Sequence, residues 1–214
     1  MAKRNAFTLA EVLITLGIIG VVAAMTLPTL INSTQAAQFR SQMKKVYTVV
    51  GQAMTVTSAL DDYDAGQAIV TTYNYNDEEP DSSIANMFGR RLQVEPTSRE
   101  NPLGVDSWDI NNKSGSSVGG SDNYTFLLND GSSISFPSGA TSCTQGNTDD
   151  NCKGVIDVNG KKNPNNEVTC ENDNPSETDC LLKNGYDIYP ILIEPQGFVP
   201  RTRAARYQMY RSGK

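Results

Sequence analysis

The chain has 214 residues, enough for one domain of ordinary size plus an appendage, and carries a formal net charge of −6. It contains no histidine, which excludes imidazole general bases, Ser-His triads and histidine metal sites together. The acidic balance argues against nucleic acid as the main partner, and no residue pattern resembles an activated nucleophile, so a non-enzymatic role is expected.

Residues 1–6 are short and basic through Lys3 and Arg4. An apolar run from Phe7 to Ile31 follows, and its one charge is Glu11. As a helix these 25 residues would extend roughly 37 Å, more than the hydrocarbon thickness of about 30 Å. Only Thr15 is polar between Val12 and Met25, so no polar face marks this run as the core helix of a soluble domain. The basic flank precedes it, which directs the N-terminus to the cytoplasm and the remainder outward. An ordinary secretory signal is the competing reading, with Val22, Ala23 and Ala24 as small residues suited to cleavage. A plain membrane anchor is another. Neither uses Glu11, whose carboxylate costs a few kcal/mol in a membrane core.

The stretch Ala6-Phe7-Thr8-Leu9-Ala10-Glu11 resembles the processing motif of type IV prepilins and type II secretion pseudopilins. The resemblance implies cleavage between Ala6 and Phe7 by a prepilin peptidase, methylation of the new Phe7 amine, and retention of Glu11 as the filament-assembly carboxylate. Ala6 stands where the family usually has glycine. Pro28 fits the family's proline and is expected to kink or locally melt the helix. The implied partners are the peptidase, copies of the chain or related pilins, and an inner-membrane assembly platform. The implied location is the inner membrane, single-pass, with the head in the periplasm or at the cell surface. A short distance between the Phe7 amine and Glu11 of packed helices would let the two charges pair and relieve each other's desolvation. Gly17 and Gly20 are spaced GxxG, a weak signal for close helix approach.

Beyond Asn32 the pattern becomes amphipathic. Phe39, Met43, Val46, Val50, Met54 and Thr57 recur at spacings of three or four, whereas Arg40, Lys44 and Lys45 fall elsewhere. A helix from about Ser33 to Ala59 is expected, continuous with the membrane segment. Four regions follow: leader 1–6, membrane and assembly helix 7–31, amphipathic helix 32–60, and a head over 61–214. Ser83–Leu92 reads as a short helix with Ile84, Met87, Phe88 and Leu92 inside. Asp61, Asp62, Asp77, Glu78 and Glu79 read as solvated, Trp108 and Ile110 as a strand or packing anchor, and Ser114–Ser121 as a loop. Tyr124–Leu128 and Ser132–Phe136 around Asn129-Asp130-Gly131 read as a hairpin, with further strands at Val155–Val158 and Ile188–Ile193. The expected fold is α+β and pilin-like, a long N-terminal helix packed on an antiparallel sheet of about four strands.

Four cysteines between 143 and 180 form two close pairs and permit three pairings; the sequential one, Cys143–Cys152 and Cys170–Cys180, is expected in an exported chain because each pair closes a short polar loop, with a four-cysteine zinc site as the alternative, at spacings longer than C-x₂₋₄-C. Asp157, Asn159 and Gly160, followed by Pro164 and Asn165, resemble the D-x-N-G…P-N segment of pseudopilin-like heads, and Gly185-Tyr186-Asp187 resembles the G-x-D that follows it. The insertion 166–184 departs from that pattern. Asp157, Asn159 and Asp187 offer hard oxygen ligands suited to calcium, without the spacing or closing Glu of an EF-hand. Alternatively, Asp157 and Asn159 form Asx turns and Gly160 takes a left-handed conformation. The Arg-rich stretch 201–214, with Tyr207 and Tyr210, reads as a solvated tail. These features leave two functions: a structural subunit of a pilus or secretion pseudopilus, or a minor tip subunit acting as an adhesin or in DNA uptake.

Overall fold

A computed structural model of the chain describes residues 8–69, 82–94, 123–160, 162–168 and 186–210. Helix α1 (Leu9–Leu60) is a single helix of 52 residues, about 78 Å long. Its first half stands clear of the rest of the protein. Leu9–Pro28 is long and apolar enough to cross a membrane, and none of it is buried inside the chain. The helix continues through Pro28 without a break, so the local melting expected there does not occur. A proline removes one hydrogen bond, which the helical residues on either side hold across.

The second half of α1 belongs to the head. Phe39, Met43, Val46, Val50, Met54 and Thr57 are all buried. The hydroxyl of Thr57, the one polar member of this stripe, donates to the Ala53 carbonyl and so enters the core satisfied. At the helix C-terminus the carboxylate of Asp61 takes both bonds, at 2.7 and 2.8 Å, from one guanidinium nitrogen of Arg91. Arg91 closes helix α2 (Ile84–Arg91), so this ion pair pins the ends of two helices together. The Ser83 hydroxyl caps α2 by accepting from the Asn86 amide, and Ile84, Met87 and Phe88 face inward as the sequence suggested.

Among the described residues five antiparallel strands form one sheet in chain order: β1 (Asn123–Leu127), β2 (Ser133–Pro137), β3 (Lys153–Asp157), β4 (Ile188–Glu194) and β5 (Gly197–Pro200). The β1–β2 hairpin turns at Asp130 and Gly131, where Gly131 has φ +86° and the Asp130 carboxylate accepts from the Ser132 amide and hydroxyl. Register places Tyr124 opposite Phe136 and Phe126 opposite Ile134. Phe136 stacks on Phe126 at 6.0 Å and meets Phe88 of α2 edge-on at 5.0 Å. Tyr47 of α1 meets Phe198 of β5 edge-on at 5.2 Å. The core thus lies between the α1 stripe, α2 and one face of the sheet.

Two elements differ from the sequence reading. The sheet gains β5, hairpinned to β4 through Pro195 and Gln196. Within the C-terminal stretch, Arg203–Tyr210 is not a solvated tail: it forms helix α3, which buries Ala204, Ala205 and Met209 and packs against α1 and β5, while 211–214 lie outside the described residues. Tyr207 is half-buried against the core, whereas Tyr210 remains exposed. The acidic 77–79, Trp108, Ile110 and the loop 114–121 lie outside the described residues.

Candidate functional sites: the N-terminal helix and the β3–β4 connection

Thr8-Leu9-Ala10-Glu11 is a capping box. The Glu11 amide donates to the Thr8 hydroxyl oxygen at 3.3 Å. In return one Glu11 carboxylate oxygen accepts from both the Thr8 amide and the Thr8 hydroxyl, each at 2.8 Å. Two of the four orphan N–H groups at the start of α1 are therefore satisfied locally. The arrangement does more than begin a helix. A carboxylate entering a membrane core carries its own donors with it, and its negative charge sits at the positive end of a long helix dipole. Glu11 is thus held by its own chain before any second helix is present. Further along, the hydroxyls of Thr15 and Thr26 turn back onto the carbonyls of Glu11 and Val22, so they present no unmet polar group to lipid. Ala6 and Phe7, the residues flanking the expected cut, lie outside the described residues.

In the head, Cys143 and Cys152 form a disulfide with a Cα–Cα distance of 5.5 Å and both sulfurs buried. The amides of Ser142 and Cys143 donate to the carbonyls of Ala68 and Ala65, so the bridged loop is stitched to the segment after α1. Cys170 and Cys180 lie outside the described residues.

The end of β3 and the start of β4 bring Asp157 and Asp187 together. Both are 0 % exposed. One Asp157 oxygen accepts from the Asn159 amide at 3.1 Å, the Asx turn anticipated from the sequence. Gly160 follows with φ +65°, and a Cβ there would stand 2.3 Å from the Gly131 carbonyl oxygen, so this turn rests directly on the β1–β2 turn. The two Asp187 oxygens accept from the Asn165 and Asn166 amides at 2.9 and 2.6 Å. The amides of Asp187 and Ile188 both donate to the Asn166 carbonyl, which folds 162–168 back against β4. Burial pushes the Asp157 carboxyl up to about 8. The Asp187 charge adds to the rise, and the Asn159 and Gly160 amides oppose it. Burial likewise raises Asp187, against the pull of Asn166, Asn165 and Asn159. The sequence reading named Asp157, Asn159 and Asp187, and the structure brings all three into one neighbourhood. It missed Asn165, whose signal was its place in the P-N pair. Among the described residues no three His, Cys, Asp or Glu side chains gather as a metal cluster.

Residues 1–27 match the family model described as the prokaryotic N-terminal methylation motif. No curated protein and no solved structure matches the chain. The motif identifies the N-terminus as that of a type IV prepilin- or pseudopilin-like precursor, and the helix and sheet behind it have the α+β pilin-like arrangement.

Proposed function

We propose that the chain is a structural subunit of a type IV pilus or type II secretion pseudopilus. A prepilin peptidase cuts it between Ala6 and Phe7 and methylates Phe7, and the subunit then assembles from the inner membrane through α1 with its head outside the cytoplasm. The carrying observation is the methylation motif at residues 1–27 running straight into an apolar helix that the head leaves uncovered. Such a surface needs lipid first and other helices afterwards. In a filament, side-by-side packing moves the apolar half of α1 from lipid into a bundle. Glu11 then exchanges its Thr8 donors for the Phe7 amine of another subunit, a full positive charge in a medium of low dielectric.

Co-expression with a prepilin peptidase followed by intact-mass measurement tests this reading. The mature chain should begin at Phe7 with one added methyl group. Loss of Lys3 and Arg4 takes its formal side-chain charge from −6 to −8. A chain beginning at Met1, or after Ala24, would overturn it.

The observation behind a second reading, a minor tip subunit that binds a surface or DNA, is α3, with Arg201, Arg203 and Arg206 exposed on and beside it. That reading requires a salt-dependent affinity for DNA that falls when these arginines become serine.

A further inference from the structure

Two adjoining hollows lie where α1 meets the β4–β5 hairpin, one of about 440 Å³ and one of about 380 Å³. Tyr47, Gln196 and Gly197 line both, so the two form one cleft pinched at its middle. Each is of the size that holds a small ligand, roughly 300–1,000 Å³. The Tyr47 ring is braced by the buried Phe198, edge-on at 5.2 Å, while 37 % of the residue stays exposed. Tyr210, 56 % exposed at the end of α3, stands beside it: burial raises its hydroxyl, Tyr47 and Glu194 add to the rise, and Arg206 opposes it. Gly51 of α1 lines the smaller hollow, and a Cβ on Gly197 would stand 4.0 Å from its Cα. A Cβ on Gly51 itself would meet nothing within 4 Å. No contact of the described chain therefore requires glycine here, although glycine is a poor residue for a helix interior. Its effect is to leave that wall of the cleft bare.

The polar groups of the cleft narrow the ligand class. Gln52, Gln145, Glu194 and Gln196 line it, and none of their side chains bonds to the described chain. The three amides each offer donors and acceptors side by side, and the carboxylate offers acceptors. Among the described residues no Lys or Arg lines either hollow, so nothing there balances an anionic ligand. A wholly apolar ligand would strip water from these groups and return no hydrogen bond. We propose that this cleft binds a neutral oligosaccharide, with one sugar ring stacked on Tyr47 and its hydroxyls bonded by Gln196, Glu194 and Gln145. A pyranose has the matching two-sided chemistry. Its C–H face carries slight positive charge and lies against the negative face of an aromatic ring. Each hydroxyl around its edge both donates and accepts, as an amide pair does. Because Tyr47 belongs to both hollows, a second sugar unit can extend toward Gln52 and Gly51. A proline-rich peptide would also use the tyrosine face, but its carbonyls only accept and would leave Glu194 unmatched. The inference concerns the single subunit and does not rest on the filament reading.

The test uses the full chain purified in a detergent without a sugar headgroup. Saturation-transfer NMR and calorimetric titration compare maltotriose, lactose and chitotriose as neutral probes, a hyaluronan fragment as the acidic probe and a short proline-rich peptide. At least one neutral sugar should bind with a millimolar or tighter Kd, with transfer strongest at its ring C–H protons. Tyr47→Leu keeps an apolar partner for Phe198 and deletes the aromatic face, and Gln196→Ala deletes an exposed amide at the hairpin tip. Each should weaken binding at least fivefold. Gly51→Leu improves helix propensity and fills the bare wall, so it should raise the melting temperature by about 2–4 °C while weakening binding at least tenfold. That opposition keeps the site testable if Tyr47→Leu misfolds, since a merely structural glycine would not lower affinity in a more stable chain. No binding of any neutral sugar, or binding unchanged in all the variants, would overturn the proposal. Tighter binding of the hyaluronan fragment or the peptide than of every neutral sugar would overturn the ligand class.

Discussion

Placing an aspartate at either of two adjacent positions of α1 separates the buried face from the solvent face. Val46 is 1 % exposed within the core. Val46→Asp forfeits about 1.5 kcal/mol of apolar transfer. The new carboxyl must then be buried, and it avoids a bare charge by taking up a proton. Taking up that proton at neutral pH, against an unfolded value of about 3.9, costs about 4 kcal/mol, and a rise of the buried pKa beyond 7 adds nothing further. The sum, about 5–6 kcal/mol, matches the whole stability of a domain at the lower end of the usual range of about 5–15 kcal/mol. Lys45 points the other way, with its side chain 59 % exposed and its amine 2.9 Å from the Asp130 carboxylate. Lys45→Asp loses a surface ion pair worth at most about 1 kcal/mol and sets two like charges near each other. A loss of about 1 kcal/mol is expected. Urea denaturation of residues 35–214, followed by circular dichroism, measures both, because among the described residues of α1 the first to enter the core is Phe39. Equal losses from the two variants would refute the assignment of faces, and a truncated parent with no cooperative transition would refute the independence of the head.

Glu11→Val should leave membrane insertion intact, since a charge leaves the apolar helix, while filament yield in a reconstituted assembly assay falls sharply; wild-type yield would contradict charge pairing. Gly160→Ala forces an L residue to φ +65° with its Cβ 2.3 Å from a backbone oxygen, so a destabilisation of about 2 kcal/mol or more is expected by urea titration. Replacing Cys143 and Cys152 by alanine opens a short loop, at a cost of roughly 2–3 kcal/mol in the chain-entropy model, visible as a lower melting temperature. Desolvation raises the Asp130 carboxyl, but bonds from Ser132 and Lys45 outweigh it and leave the pKa lowered. Its contribution is therefore present above the unfolded value of about 3.9 and disappears as pH falls through the lower folded value, a loss that Ser132→Ala should shrink in acid titrations.

The parts of the fold with strong periodicity were readable before any coordinates. The α1 stripe declares itself because apolar residues at three- and four-residue spacing alternate with Arg40, Lys44 and Lys45. The first hairpin does so because Asp130-Gly131 sits between two runs of alternating side chains. Strand β5 was missed because four residues ending in Pro200 carry too little pattern. Helix α3 was missed because its arginines dominate the composition, while Ala204 and Ala205, the residues it buries, are small. Glu11 was legible as a charge out of place. Its local role is spelled by the T-x-x-E spacing from Thr8, the signature of a capping box. In the β3–β4 connection the acidic residues were visible, but which of their oxygens remain unsatisfied depends on backbone amides that only the folded chain positions.

The unbroken course of α1 from Leu9 to Leu60 also fixes an angular phase. Because the same rod carries the membrane half and the core stripe, the direction in which the head faces is locked to the direction in which Glu11 points. Each residue advances an α-helix by about 100° and 1.5 Å. Inserting a single alanine between Pro28 and Phe39 would leave both halves chemically intact, yet swing every head by about 100° around its own axis. Subunits joined through their N-terminal halves would then meet their neighbours with a different face, so the length of this stretch specifies the outer surface of any assembly as firmly as the residues exposed on it.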